Sequence, residues 1–209
     1  MKEITRTCVD CGALKCDVQN TNYPNFCLTT ENCNEQVLEE SIEKYKEEEN
    51  HKMMIHAAEI EHEFYCKMTR VEETIEFAKR MNYHKIGIAT CVGLISESRT
   101  LAKILRNHGF EVFSIACKAG AIEKTKVGIP KECQNVGINM CNPIHQALRL
   151  NSEKTDFNIV MGLCVGHDSL FYKYAEAPTT ALVTKDRVLG HNPVAALYTA
   201  NSYYKKIME

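Results

Sequence analysis

The chain has 209 residues, with 25 Lys and Arg against 27 Asp and Glu, a formal charge of -2. The signs are interspersed, so no field suits nucleic acid or an anionic membrane, and a chain with no Trp has little base-stacking surface. No apolar run reaches the roughly 18 residues that span a bilayer, and the N-terminus "MKEITRTCVD" lacks the apolar core of a signal peptide.

The expected location is therefore the cytoplasm, where ordinary thiols stay reduced. Eleven cysteines in such a chain point to metal or redox chemistry rather than to a disulfide framework.

Residues 1–36 hold five of those cysteines and show no sustained helix or strand period, as expected of a loop-rich module organised by ligands. Cys8, Cys11 and Cys16 form C-x2-C-x4-C, and Cys27 and Cys33 follow. Two thiolates two residues apart can grip one ion from a single turn, and others arriving from nearby loops complete a tetrahedral set or hold a cluster. With no histidine in this stretch, an all-thiolate site for zinc or an iron-sulfur cluster is expected. The spacing does not choose between zinc and iron-sulfur, or between Cys27 and Cys33 as fourth ligand.

Residues 37–82 are rich in Glu, Lys, Met and Ala and lack Gly and Pro. Apolar spacing in "VLEESIEKY" and "VEETIEFAKRM" predicts two helices, forming the first segment of an α/β domain over 37–209. From Lys85 the pattern becomes strand, turn, helix. "KIGIATC", "FEVFSIAC", "DFNIVMGLC" and "TTALVTK" read as strands. Between them lie the helices "SESRTLAKILRNHG", with Ser96 as cap and Gly109 as stop, "NPIHQALRL" and "DSLFYKYAEA". A last helix is predicted over "NPVAALYTANSYYKKI". The alternation predicts a Rossmann-like α/β fold with a mostly parallel sheet of about four strands.

In such a sheet ligands bind beyond the carboxyl ends of the strands. Three predicted strands finish in cysteine: Cys91, Cys117 and Cys164. Cys141 in "CNP" and His191 in "HNP" immediately precede Asn-Pro pairs that predict an N-cap and a first helical residue. Lys118 follows Cys117 and could lower a thiol pKa or hold an anion. His145 and His167 lie near the same edge in sequence, with Asp168 expected to cap its helix and orient His167.

One strand cysteine taken alone is a small hydrophobe. Three at equivalent positions beside helix N-termini share an environment that stabilises thiolates and anions. A thiol-lined crevice is thus expected, with Cys91, Cys117, Cys164 and His167 as reactive groups and Cys141, Lys118 and His191 as binding groups. It would hold a second metal, a cluster, or a small anionic or sulfur-containing molecule.

Other signals are weaker. Glu59 and His62 have Glu-x-x-His spacing, but a di-metal bundle needs two copies. "CVGLISES" lacks the glycine pattern of a nucleotide loop. Lys185, Asp186 and Arg187 either line the crevice or pair with one another.

The blocks "CVDCGALKC", "IGIATCVGL", "NMCNPIHQA", "VMGLCVGHDSLF" and "KDRVLGHNP" together resemble a cysteine-rich family of unknown function, labelled as uncharacterised metal-binding proteins and found largely in anaerobic bacteria and archaea. The resemblance implies metal binding and carries no reaction. Three functions are compatible with the residues: a metal-binding protein with a ligand crevice, an iron-sulfur-dependent reductase or sulfur-transfer enzyme, and a metal-dependent regulatory or storage module.

Overall fold

The computed structural model describes residues 5–18 and 22–209, and the chain divides into two compact units, Met1–Glu59 and Ile60–Glu209. In the first, Cys8–Asp10 make one 3-10 turn. The Thr7 amide donates to Asp10 Oδ2 at 2.8 Å, and the Cys11 amide donates to the Cys8 carbonyl at 3.2 Å. Loops follow until Asn34, whose Oδ1 accepts from the Val37 amide at 3.2 Å and starts helix α1 (Glu35–Lys44).

Residues 37–82 contribute to three helices rather than the two predicted. The addition is α2 (Glu48–Phe64), built from good helix formers without a strong apolar stripe. Its weak periodicity follows from its burial, since Ile60 is its one buried residue.

In the second unit α3 (Arg70–Arg80) opens with a capping box in which the Thr69 amide donates to Glu72 Oε2 at 2.8 Å. Strand β1 (Lys85–Thr90), helix α4 (Ile95–Asn107) and strand β2 (Glu111–Ala116) follow. Next come α5 (Pro143–Ser152), β3 (Phe157–Met161), α6 (His167–Tyr174), β4 (Thr179–Val183) and α7 (Val194–Tyr198). The four strands form a parallel sheet in the order β2-β1-β3-β4, as the alternation predicts.

Alternate residues of β1 and β3 feed two cores, because side chains in a strand point to opposite faces. Ile86, Ile88, Phe157, Ile159 and Met161 pack with Ile75 of α3 and Leu101 and Leu105 of α4. Ala89, Ile115 and Val160 pack on the other face with Ala147 and Leu150 of α5 and Phe171 of α6. Burial of helices on both faces explains why β1 and β3 are nearly all apolar.

Three buried polar residues fix how the helices meet the strand ends. Gln146 of α5 donates from Nε2 to the carbonyls of Thr90, at 3.1 Å, and Ile115, at 2.8 Å. The hydroxyls of Thr90 and Ser98 lie 2.6 Å apart and tie α4 to β1.

Several predicted helix ends shift. The cap position of α4 is Leu94, not Ser96, because the 3-10 turn Val92–Leu94 runs straight into the helix. Gly109 does end that connection, with φ of +91°. The predicted C-terminal helix is reduced to α7. Beyond it the Thr199 hydroxyl returns to the Ala195 carbonyl at 2.6 Å and the Tyr204 amide to the Thr199 carbonyl at 3.0 Å, so polar side chains and turns replace the helical ladder. Pro193 is the α7 cap, so Asn192 precedes the cap position.

Candidate functional site

β1 sends its chain to β2 on one side, whereas β3 sends its chain to β4 on the other. The strand order therefore reverses between β1 and β3, the place where open parallel sheets leave a crevice. Cys91 follows β1 there, with its amide donating to the Met161 carbonyl of β3 at 3.0 Å. Cys117 follows β2, and its amide donates to the Thr90 carbonyl at 2.8 Å.

Cys141 reaches the same edge from the start of α5. The Asn142 amide donates to the Cys117 carbonyl at 2.8 Å, while Asn142 Oδ1 accepts from the His145 amide at 3.0 Å and caps the helix as predicted. One asparagine thus closes the loop that leaves at Cys117 and returns at Cys141.

Cys91, Cys117 and Cys141 form a row: Cys91 and Cys117 lie in one buried cluster, Cys141 packs against it, and His167 is near enough to interact electrostatically with Cys141. Cys117 also accepts from the Val92 amide at 3.4 Å. The neighbouring Cys141 and Cys91 sulfurs, reinforced by burial, push the Cys117 pKa upward. The neighbouring Cys117 pulls the Cys91 pKa down, and Lys185 adds to this. Cys141 is lowered chiefly by Cys117, then by His167 and the Lys118 charge. In return the Cys141 contact raises the pKa of His167.

Access differs along the row. Cys117 is only 3% exposed and Cys91 8%, while Cys141 and His167 are half-buried. Cys164 is half-buried as well and lies two residues farther beyond its strand than the pattern suggests, after Gly162 and Leu163. Arg187 Nη2 donates to Cys164 Sγ at 3.0 Å. A β-carbon on Gly162, whose φ is +66°, would lie 2.1 Å from Leu94 Cδ1, so glycine there permits the close approach expected of it. Gly166 has open space around it, and its φ of +82° is what requires glycine.

Four cationic groups border these thiols. Lys118 Nζ is tied to the Asn139 carbonyl at 2.5 Å, close enough for its charge to act on Cys141. The Lys185 charge acts on Cys91, Arg187 bonds Cys164, and His167 interacts electrostatically with Cys141. The two nearby carboxylates in sequence are already engaged: Asp168 Oδ1 accepts from the Ser169 amide at 2.8 Å, and Asp186 Oδ1 accepts from the Val188 and Leu189 amides at 2.9 and 2.8 Å. Asp168 therefore does not cap α6. Gly166 holds the cap position, and His167 takes its partner in Cys141.

His191 stands apart from the row. With φ of +68°, it exchanges bonds with Asp186: its amide donates to the Asp186 carbonyl at 2.8 Å, and its Nδ1 accepts from the Asp186 amide at 3.1 Å. Its visible role is to fold the loop carrying Lys185 and Arg187. The sequence left open whether Lys185 and Arg187 line the crevice or pair with Asp186; in the fold both act on crevice thiols.

All eleven cysteines are free thiols. Cys8 and Cys16 are exposed, Cys11 and Cys33 half-buried and Cys27 buried. A 3-10 turn joins Cys8 to Cys11, and the Thr29 amide donates to Cys27 Sγ at 3.3 Å, lowering the pKa of that thiol. The donor chemistry fits an all-thiolate site. Among the described residues, however, no three His, Cys, Asp or Glu side chains are arranged to hold a metal ion.

Residues 27–182 match the family described as protein of unknown function, DUF1847. The chain belongs to that family. An uncharacterised protein of Methanocaldococcus jannaschii is similar to it, 48% identical over 196 residues that cover 94% of this chain and 99% of the relative. The DUF1847 description names neither a metal nor a reaction, so the metal-binding label implied by the sequence blocks does not come with it. The matched DUF1847 region contains the thiol row, Cys164 and His167, while Cys8, Cys11, Cys16 and Arg187 lie outside it. No helix among the described residues is long and apolar enough to cross a membrane.

Proposed function

We propose that this chain captures a small anionic or sulfur-containing molecule through cysteine thiolates in the crevice at the β1/β3 reversal, and that its N-terminal cysteines bind zinc or an iron-sulfur cluster. The carrying observation is the packing of Cys91, Cys117 and Cys141 at the strand ends, with the Asn142 amide holding the Cys117 carbonyl at 2.8 Å and Arg187 bonded to Cys164 nearby, where Lys118, Lys185 and His167 act on the thiols. Thiolates are the nucleophilic form of cysteine, and cations beside them favour an anionic ligand. A cytoplasmic setting, expected from the sequence, keeps such thiols reduced.

The test is alkylation of the full chain, purified without oxygen, with Cys141 and Cys164 followed by peptide mapping. Thiosulfate and anionic thiols are expected to protect both, whereas cationic thiols are not. Protection by stoichiometric zinc but by no anion would overturn the reading and make the crevice a metal site. Iron, zinc and acid-labile sulfide analysis of the same sample tests the N-terminal half of the proposal.

A metal-dependent regulatory or storage role has no structural observation in its favour. An enzymatic role is supported by the contact of a nucleophile, Cys141, with a potential proton carrier, His167.

A further inference from the structure

We propose that Cys141 and Cys117 are an exchange pair that reduces a small anionic disulfide, with Cys141 attacking and Cys117 resolving. This rests on capture of a sulfur-containing ligand by the crevice and names its chemistry.

The argument begins with depth. Cys141 is half-buried and can meet a ligand, whereas Cys117, in the buried cluster that Cys141 packs against, is 3% exposed and can meet only what Cys141 has already bound. The backbone keeps them together, since the Asn142 amide is bonded to the Cys117 carbonyl at 2.8 Å. The loop between the two cysteines is already closed at its stem, so joining the sulfurs adds little loop-closure entropy. Cys164 lacks this arrangement because its observed partner is Arg187, not a second thiol.

The chemistry balances within these groups. The Cys141 thiolate attacks one sulfur of the substrate R–S–S–R′; the substrate S–S bond breaks, R′S⁻ leaves with the electron pair, and Cys141–S–S–R forms. Cys117 then attacks the Cys141 sulfur, its proton passing to Cys91, which lies in the same buried cluster and accepts it as thiolate. RS⁻ leaves and Cys117–S–S–Cys141 remains. The substrate gains two electrons and the cysteine pair loses two; another round requires an external dithiol to exchange with the pair.

His167 contacts Cys141 in its resting form and is placed to protonate the first leaving thiolate. Lys118, Lys185 and Arg187 make an anionic disulfide the favoured substrate class.

The experiment uses the reduced full chain with a Cys133→Ser substitution. Cys133 is exposed and shares a tryptic peptide with Cys141, so its removal leaves one assignment for any crosslink. Glutathione disulfide is the anionic probe and cystamine the cationic one, with rates normalised to exposed Cys66. The expected product joins the peptides Asn107–Lys118 and Glu132–Arg149 and releases both glutathione halves.

Adding Cys117→Ser is expected to stop the reaction at a mixed disulfide on Cys141, and adding Cys141→Ser to prevent both products. The normalised preference for glutathione disulfide over cystamine is expected to be at least about tenfold and to shrink with salt. Anion-protected alkylation of Cys141 without the Cys117 crosslink would overturn the exchange pair and leave ligand capture standing. Unreactive crevice thiols would overturn both. A Cys91–Cys117 product, or equal normalised rates for the two probes, would also defeat the proposal.

Discussion

Arg187 donates from Nη2 to the sulfur of Cys164 at 3.0 Å, joining the loop after β4 to the segment after β3. The contact raises the pKa of Arg187 and places a permanent positive charge at the mouth of the crevice. Replacing Arg187 with Gln is expected to raise several-fold the anion concentration that half-protects Cys164 from alkylation. Because the side chain is exposed, the melting temperature should change little. An unchanged protection curve would show that Arg187 takes no part in ligand capture.

The reactivity of Cys141 should depend on pH differently from that of an ordinary thiol. Its pKa is lowered to about 4, first by Cys117 and then by His167, with Lys118 contributing and Arg187 also facing it. A thiol reacts as thiolate, so lowering its pKa preserves reactivity on acidification. Alkylation of Cys141 should stay nearly flat from pH 8 to about 5, whereas an unperturbed thiol of pKa about 8.5 loses roughly tenfold per unit below that value. His167→Asn removes one stabilising contact and should move the midpoint upward.

Gln146 bridges the Thr90 and Ile115 carbonyls directly below Cys91 and Cys117. Gln146→Leu removes the donor and leaves buried acceptors short of a partner, at a cost of about 1–3 kcal/mol. Denaturant unfolding should show that loss. Peptide mapping should also show faster alkylation of Cys117, because the anchor between α5 and the strand ends is gone.

Gly162 is at a positive φ, and a β-carbon there would overlap Leu94. Gly162→Ala should destabilise the chain by about 1–3 kcal/mol through backbone strain and displacement of Leu94. Adding Leu94→Ala relieves the overlap but not the strain. The double variant should therefore lose less stability than the sum of the singles; strict additivity would show that the two positions do not interact.

Metal binding by the N-terminal thiolates predicts that Cys11→Ser lowers the zinc or iron bound by anaerobically purified protein, while Cys164→Ser does not. The readout is metal per chain. Equal retention in both variants would place the metal elsewhere or show that it is adventitious.

The strands were legible because helices on both faces make β1 and β3 almost wholly apolar, and such runs announce buried parallel strands. Helix ends were less legible. Asn142 could be read as a cap because Asn-Pro acts locally, but Ser96 could not be excluded as one without knowing that a 3-10 turn already feeds α4. α2 was missed because a helix with one buried residue has little need of an apolar stripe.

The local sequence determined that cysteines follow β1 and β2 and precede α5, since strand pattern and capping chemistry act within a few residues. Only the tertiary structure decided which of them meet. Cys117 falls between Cys91 and Cys141 because β2 lies beside β1 and Asn142 closes the intervening loop, whereas Cys164 pairs with Arg187 and His191 folds onto Asp186. Strand order and loop return set which thiols pack together, and neither is encoded in the spacing of the cysteines along the chain.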